Sequence, residues 1–123
     1  MTVKRGKPRV LVVDDERVIA DTLAIILNQH GFDAAAVYTG TAAVERARSV
    51  KPDLIISDVI MPDMNGIEAA ISIRKFLPAC KILLFSGQAA TADLLESARA
   101  QGHEFEILAK PVHPQDLLAK LRG

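Results

Sequence analysis

The chain has few of the residues that mark several large classes of protein. Its 123 residues include one cysteine, one tyrosine, four phenylalanines and no tryptophan. The single cysteine, Cys80, cannot close an intrachain disulfide and has no neighbours at metal-ligand spacing, so a small buried hydrophobic role fits it best. A disulfide scaffold is excluded, and we expect a protein of a reducing, cytoplasmic compartment.

Positive and negative charges are balanced in this chain. Lys plus Arg and Asp plus Glu number 15 each, so the net charge is zero and direct nucleic-acid binding is not expected. No apolar stretch could span a membrane, and the run over residues 10–13 stops at Asp14, too early for a signal sequence. We therefore expect a flexible basic tail over residues 1–8 and one domain over residues 9–123.

The apolar residues that are present follow two alternating patterns. Five short aliphatic runs alternate with segments whose apolar residues recur at helical spacing, as Ile19, Leu23 and Ile26 do. This alternation predicts an α/β fold, a doubly wound five-stranded parallel sheet with five helices on both faces. The predicted strands cover residues 10–13, 32–37, 54–57, 82–85 and 105–109.

Glycines and prolines predict where the helices begin and end. Gly31 and Gly102 lie where left-handed C-terminal caps are expected. Pro52 and Pro78 disfavour helix just before themselves, so the second and third helices should end there. Pro114 suits the first turn of the last helix, where its missing N–H costs nothing.

Polar residues follow four of the five predicted strands, at the edge where open parallel sheets bind ligands. They are Asp14, Asp15 and Glu16 after the first strand, Ser57 and Asp58 at the third, Ser86 (followed by Gly87) at the fourth, and Lys110 (followed by Pro111) at the fifth. Acids, a hydroxyl and a cation should therefore gather at one edge of the sheet.

A cluster of this composition can bind a metal ion and accept a phosphoryl group. If the first and third strands are neighbours, as in the flavodoxin-like order 2-1-3-4-5, Asp14, Asp15 and Asp58 come within reach of one cation. Mg²⁺ prefers oxygen ligands and takes one or two direct carboxylates. A strand-tip carboxylate can attack phosphorus, while Lys110 and Ser86 would stabilise the phosphoryl oxygens.

The motifs at these strand ends together resemble the receiver domain of two-component response regulators. They are VLVVDD over residues 10–15, SDVIMPDMNG over 57–66, FSG over 85–87 and KP at 110–111. Each alone is a weak signal, but their order and their placement at strand ends are specific. The resemblance covers almost the whole chain and implies a CheY-like fold of order 2-1-3-4-5 and a phosphorylation-activated switch of a phosphorelay, not an enzyme with outside substrates.

The resemblance also implies how the acids share the chemistry. Asp58 would be the phosphoacceptor and a metal ligand, and Asp15 would be the direct Mg²⁺ carboxylate. Asp14 would hold a metal-bound water. Ile60 would offer its backbone carbonyl to the ion.

The same resemblance implies a switch and its partners. Ser86 would move to bind the phosphoryl group and Lys110 would contact it, with the bond from Lys110 to Pro111 cis. The donor would be a sensor histidine kinase or a phosphotransfer protein. The output would pass through helix 4, strand 5 and helix 5 to a downstream protein, an effector domain or a homodimer partner, without direct contact to nucleic acid or membrane.

The chain departs from the family at one position. Receivers commonly carry an aromatic residue three positions before the lysine, where this chain has Ile107. Phe105 is the nearest aromatic and shares the face of Ile107 only if no bulge interrupts the strand. The phosphorylation chemistry survives this change, but two outcomes stay open: a signal through another shift of the fourth helix and fifth strand, or a weaker coupling.

Three rival interpretations remain. A magnesium phosphatase of the haloacid dehalogenase type also uses a strand-tip aspartate, but it carries a second acid two positions later, where this chain has Ile60. A pure interaction module with a vestigial pocket is disfavoured by the complete set of pocket residues. The third is a receiver excised from a longer regulator, because the chain ends just after the last predicted helix.

Several polar residues are given ordinary structural interpretations. Asp63 and Asn65 lie in a loop rich in proline, asparagine and glycine and are interpreted as turn residues. His30, His103 and His113 lie near helix ends without metal-ligand spacing, so we expect them to be solvated or capping.

Overall fold

Strands and helices alternate along the chain as the sequence predicts. The computed structural model describes residues 6–87, 91–110 and 112–122. The strands are β1 Arg9–Val13, β2 Asp33–Val37, β3 Leu54–Asp58, β4 Lys81–Ser86 and β5 Glu106–Ala109. The helices are α1 Arg17–Gln29, α2 Gly40–Val50, α3 Gly66–Phe76, α4 Thr91–Ala100 and α5 Pro114–Arg122. Within the described ranges, every helix is too short or too polar to cross a membrane.

The five strands form one parallel sheet in the order β2-β1-β3-β4-β5, which confirms the predicted fold class and strand order. Gly31 and Gly102 have positive φ angles of 92° and 91°, as expected of residues that end helices. Helix α2 instead ends at Lys51, which is left-handed without being glycine. The predicted cis bond at Pro111 and most of the predicted tail lie outside the described residues.

Both faces of the sheet are buried, which explains why the central strands are aliphatic throughout. Alternate residues of β1 point to opposite core clusters: Leu11 and Val13 to one, Val10 and Val12 to the other. Helices α2, α3 and α4 cover the first cluster, and α1 and α5 cover the second. Strand β2 is at the edge and only half-buried, and alanines therefore suffice there.

The register of the strands aligns their carboxyl ends. Val13 pairs with Ser57, and Asp58 pairs with Phe85, so the residues that follow β1 and β3 emerge side by side. The backbone continues this alignment, because the N–H of Lys110 donates to the carbonyl of Ser86 at 3.2 Å. Residues far apart in sequence thus arrive at one end of the sheet.

The backbone beyond β3 is held by an unusually close approach of α3. The Ser57 hydroxyl donates to the Asp58 carbonyl at 2.9 Å, and the N–H of Gly66 donates to the Val59 carbonyl at 2.8 Å. A Cβ atom on Gly66 would lie 2.1 Å from the Asp58 carbonyl oxygen, a distance that no side chain tolerates. Glycine is therefore required there to position Asp58.

Asp63 and Asn65 lie in the loop between β3 and α3, and each caps a helix. The Asp63 carboxylate accepts hydrogen bonds from the backbone N–H groups of Gly40 and Thr41 and from the Thr41 hydroxyl, at 2.7 to 3.1 Å. These hydrogen bonds hold its pKa well below the usual range. Asn65 caps α3 reciprocally with Glu68. The loop after β3 thus anchors two helix N-termini beside the site.

The Gly66 contact predicts a large cost for the smallest substitution. An alanine in an ordinary helix is about 1 kcal/mol more favourable than glycine, but Gly66→Ala must push the Asp58 backbone aside. We expect it to lower the free energy of unfolding by about 3 kcal/mol or more, measured by urea denaturation. The exposed Lys75→Ala on the same helix should change it by less than about 0.5 kcal/mol. Equal stability of Gly66→Ala and the unmodified chain would contradict this.

Candidate functional site

Three carboxylates meet at the carboxyl ends of β1 and β3. One oxygen from each of Asp14, Asp15 and Asp58 lies within 4.8 Å of the others, which confirms that these side chains can share one ion. We call these three residues the acid cluster. Asp14 is fully buried and Asp58 is 7% exposed, whereas Asp15 is exposed. In the described part of the chain, no other group of three His, Cys, Asp or Glu residues has such geometry.

Asp14 lies in surroundings that disfavour its negative charge. Its Oδ1 accepts the backbone N–H of Glu16 at 2.9 Å, but its buried Oδ2 has no hydrogen-bond partner among the described residues. Burial, together with the charges of Asp58 and Asp15, raises its pKa to about 6, although the Glu16 hydrogen bond and Lys110 oppose the rise. The cluster therefore has an excess of negative charge.

Lys110 partly balances this charge. Its Nζ lies 2.9 Å from Oδ2 of Asp58, and the Lys110 side chain is about two-thirds buried. Burial on its own would lower the pKa of Lys110, but the hydrogen bond to Asp58 and the charges of Asp58 and Asp14 outweigh it and raise the pKa. Gly87 makes room for this side chain, since a Cβ there would lie 2.7 Å from the Cβ of Lys110.

The acid cluster borders a cavity of 280 Å³. Its walls combine carboxylates, hydroxyls, an ammonium group and apolar side chains: Asp15, Glu16, Asp58, Ile60, Phe85, Ser86, Gly87, Thr91 and Lys110. The structure thus brings the predicted site residues together, with Asp14 outside the cavity lining but close to Asp15 and Asp58. The Ile60 side chain is 51% exposed at the rim, and the use of its carbonyl as a ligand stays a prediction.

Ser86 has a partner that the sequence analysis missed. Its hydroxyl forms a hydrogen bond with the hydroxyl of Thr91, the first residue of α4. Thr91 is 2% exposed and lines the same cavity. A threonine at the start of a predicted helix resembles an ordinary capping residue, so only the folded structure distinguishes it.

The strand that carries Ile107 contains no bulge. Residues 106–109 pair in unbroken register with β4, and Phe105 and Ile107 both pack against the core cluster beneath α2, α3 and α4. The guanidinium of Arg74, on α3, lies 4.2 Å from the centre of the Phe105 ring. Phe105 is therefore on the expected face, and Arg74 covers its ring.

The histidines show no metal geometry in the described residues. The Nδ1 atom of His30 lies 2.8 Å from the Ile26 carbonyl, which is the capping role expected for it. A catalytic acid at the position two residues after Asp58 is absent because that residue is Ile60.

The acid cluster has the donor set of a hard divalent cation. All three side chains offer carboxylate oxygens, and the buried Oδ2 of Asp14 needs a positive partner or a donor. Mg²⁺ takes such oxygens and retains several waters, for which the adjoining cavity has space. The residues therefore fit a Mg²⁺ ion.

Comparisons with known proteins agree with the geometry. The protein family described as response regulator receiver domain matches residues 10–122. The chain is 35% identical over 114 residues to the chemotaxis protein CheY of Thermotoga maritima, covering 92% of this chain and 93% of that protein. It is 32% identical over 117 residues to the DNA-binding response regulator MtrA of Mycolicibacterium paratuberculosis, covering 95% of this chain. It spans 51% of that relative, about half its length.

Solved structures show the same arrangement. A response regulator receiver domain protein (CheY-like) from Methanospirillum hungatei JF-1 superposes with a TM-score of 0.85 at 28% identity. The match covers 95% of this chain and 92% of that one. The similarity therefore extends over the whole sheet and its helices.

The raised pKa of Asp14 predicts how the metal-free protein responds to pH. The folded pKa of about 6 exceeds the usual 3.8, so this group favours folding most below 3.8 and loses that contribution as pH rises through 6. With chelator present, Asp14→Asn should therefore be more stable than the unmodified chain by about 1–2 kcal/mol near pH 7.5. This value is smaller than the pKa shift alone would give, because solvent in the cavity screens the charge.

Urea denaturation across pH measures this difference. The advantage of Asp14→Asn should shrink towards about pH 4, where the unmodified carboxyl is also neutral. Added Mg²⁺ should stabilise the unmodified chain more than the variant, because the ion compensates the charge. If Asp14→Asn were no more stable than the unmodified chain near pH 7.5, the buried charge of Asp14 would not destabilise the metal-free fold.

Proposed function

The chain belongs to the response regulator receiver domain family, whose members are phosphorylation switches of two-component signalling, and from this premise we propose that Asp58 is its phosphoacceptor. The observation that carries the proposal is the contact between Asp58 and Lys110 in a cavity that Asp15 also lines, with a carboxylate oxygen of Asp14 within 4.8 Å of those of Asp15 and Asp58. A nucleophilic carboxylate, a cation for the phosphoryl oxygens and a metal-binding group are thereby adjacent.

The proposed reaction moves one phosphoryl group between two side chains. An oxygen of Asp58 attacks phosphorus, the new O–P bond forms, and the N–P bond to a phosphohistidine of the donor breaks, leaving the electron pair on the imidazole nitrogen. Lys110 already lies beside Asp58 and would contact a phosphoryl oxygen, and Ser86 would donate its hydroxyl to another.

Mg²⁺ would be held by Asp15 and Asp58, by Asp14 through a water, and by the backbone carbonyl of Ile60. Its charge would offset the oxygens that gather around phosphorus. Asp14 holds negative charge in a buried position, so it favours a cation there. Ile60 supplies no acid or base to hydrolyse outside substrates, so we propose a switch that catalyses only its own phosphorylation and dephosphorylation.

The proposed partners follow from the family and the geometry. The donor would be a sensor histidine kinase or a phosphotransfer protein. The receiver unit would cover residues 9–123, after a tail over residues 1–8. The output would use the surface of α4, β5 and α5, because Ser86 and Lys110 both lead into these elements, and it would act on a downstream protein, an effector domain or a second copy of the chain.

Phosphoryl uptake tests the acceptor directly. Incubation with acetyl phosphate and Mg²⁺ should add one phosphoryl mass to the intact protein, detected by mass spectrometry. Asp58→Asn removes the nucleophile while keeping the shape of the side chain, so uptake should fall to background, and chelator should suppress uptake by the unmodified chain.

Asp33→Asn is the matched control, because Asp33 is an exposed carboxylate at the opposite end of the sheet. It should leave uptake unchanged. Equal uptake by Asp58→Asn would assign the acceptor to another residue, and uptake indifferent to chelator would remove the metal from the reaction.

Amide hydrogen exchange tests the output surface. Phosphorylation should change exchange in α4, β5 and α5, because Ser86 precedes α4 and Lys110 lies between β5 and α5. Amides of β3 should stay protected, because this strand is buried at the centre of the sheet. Identical exchange in α4 and β5 with and without phosphodonor would show that the signal leaves by another surface.

A further inference from the structure

We propose that Thr91 is a positioning residue for Ser86, and that phosphorylation exchanges the hydrogen bond between these two hydroxyls for one between Ser86 and the phosphoryl group. This inference rests on the proposed function and adds the element that transmits the signal. We call Ser86 and Thr91 the hydroxyl pair. It joins the last residue of β4 to the first residue of α4.

The hydroxyl pair is part of the phosphoryl site. Both residues line the 280 Å³ cavity together with Asp58 and Lys110. Thr91 is 2% exposed, so its hydroxyl is shielded from bulk water and its hydrogen bond with Ser86 is not simply replaced by solvent. The position of Ser86 is thus tied to the position of the α4 N-terminus.

Among helices α1 to α4, α4 has the fewest residues buried in the core. Its buried residues are Thr91 and Ala98, whereas α3 buries five residues and α1 buries four. Leu94 and Leu95 are only partly buried against the core. Thr91 is one of the two residues through which α4 is buried in the core. A change at the hydroxyl pair therefore affects one of the main contacts of this helix.

The aromatic residue that receivers commonly carry three positions before the lysine cannot transmit the signal to α4 in this chain, because that position is Ile107. Ile107 has no ring that could swing and no polar atom that could follow Ser86. Phe105 lies two residues away on the same face, but the guanidinium of Arg74 stacks on its ring. The hydroxyl pair, in contrast, connects the site to α4 directly.

Thr91 and the phosphoryl group compete for the hydrogen bond of the Ser86 hydroxyl, and the stronger acceptor determines which partner Ser86 binds. A phosphoryl oxygen is charged, and hydrogen bonds to charged acceptors are about twice as strong as those between neutral groups. Ser86 therefore turns from Thr91 to the phosphoryl group, and the constraint on the start of α4 changes. By linkage, anything that removes the Thr91 hydroxyl favours the phosphorylated arrangement.

Substitutions at Thr91 test the exchange. Thr91→Val keeps the shape and removes the hydroxyl, and Thr91→Ser keeps the hydroxyl. At limiting acetyl phosphate with Mg²⁺, Thr91→Val should raise the rate of phosphoryl uptake about threefold to tenfold, the range of one net hydrogen bond. Before phosphodonor is added, amides in the first turn of α4 should also exchange faster by a similar factor. Thr91→Ser should restore both values.

Two controls separate positioning from simple damage. Ser97→Ala removes an exposed hydroxyl from the same helix and should change neither readout. In a Ser86→Ala background, Thr91→Val should have no further effect on uptake, because the hydroxyl pair is already broken. If Thr91→Val does not unfold cooperatively in urea, Thr91→Ala is used in its place.

The outcomes distinguish this inference from the proposed function. Uptake on Asp58 with unchanged rate and unchanged α4 exchange in Thr91→Val overturns the role of Thr91 and leaves the phosphoacceptor intact. A slower rate that Thr91→Ser does not restore also overturns it. No uptake by the unmodified chain overturns both proposals.

Discussion

Like charges held close together in a buried place govern this structure. Asp14 follows β1 directly and Asp58 ends β3, and the hydrogen-bonded pairing of these neighbouring central strands holds the two residues close together. Their repulsion and the burial of Asp14 are offset only in part by Lys110, whose ammonium contacts Asp58. The folded chain therefore favours the binding of a cation at the acid cluster. Binding of a cation and stability of the fold are two aspects of the same electrostatic balance.

Much of this arrangement could be predicted because it follows from short-range rules. Alternating aliphatic runs and helical periodicity specify the sheet, and parallel strands bring their carboxyl ends to one edge. Asp14, Asp15, Asp58, Ser86 and Lys110 were predicted to gather at this edge from the strand ends, on the condition of a flavodoxin-like strand order, and the structure brings them together. The position of Phe105 depended on the absence of a bulge, and the unbroken register of β5 meets that condition.

The features that the sequence did not reveal depend on tertiary contacts between short polar side chains. Asp63 looks like a turn residue, but its carboxylate reaches back across the sheet edge to the N-terminus of α2. Gly66 looks like a helix start, but it is required by the Asp58 carbonyl. Thr91 looks like a cap, but its hydroxyl meets Ser86. Each of these residues has an ordinary local interpretation, and local patterns contain no information on the partner.

The two sides of the site differ in rigidity, and this difference suits a switch. The carboxylates lie at the carboxyl ends of β1 and β3, which are buried on both faces, and the Asp58 backbone is fixed by Ser57 and Gly66. Across the cavity, Ser86 and Thr91 connect to α4, which buries little of its surface. A phosphoryl group on Asp58, as we propose, would not easily displace the acids, since a packed core resists small deformations. Its contacts would instead move the hydroxyl pair and α4, which has fewer buried residues than α1, α2 or α3.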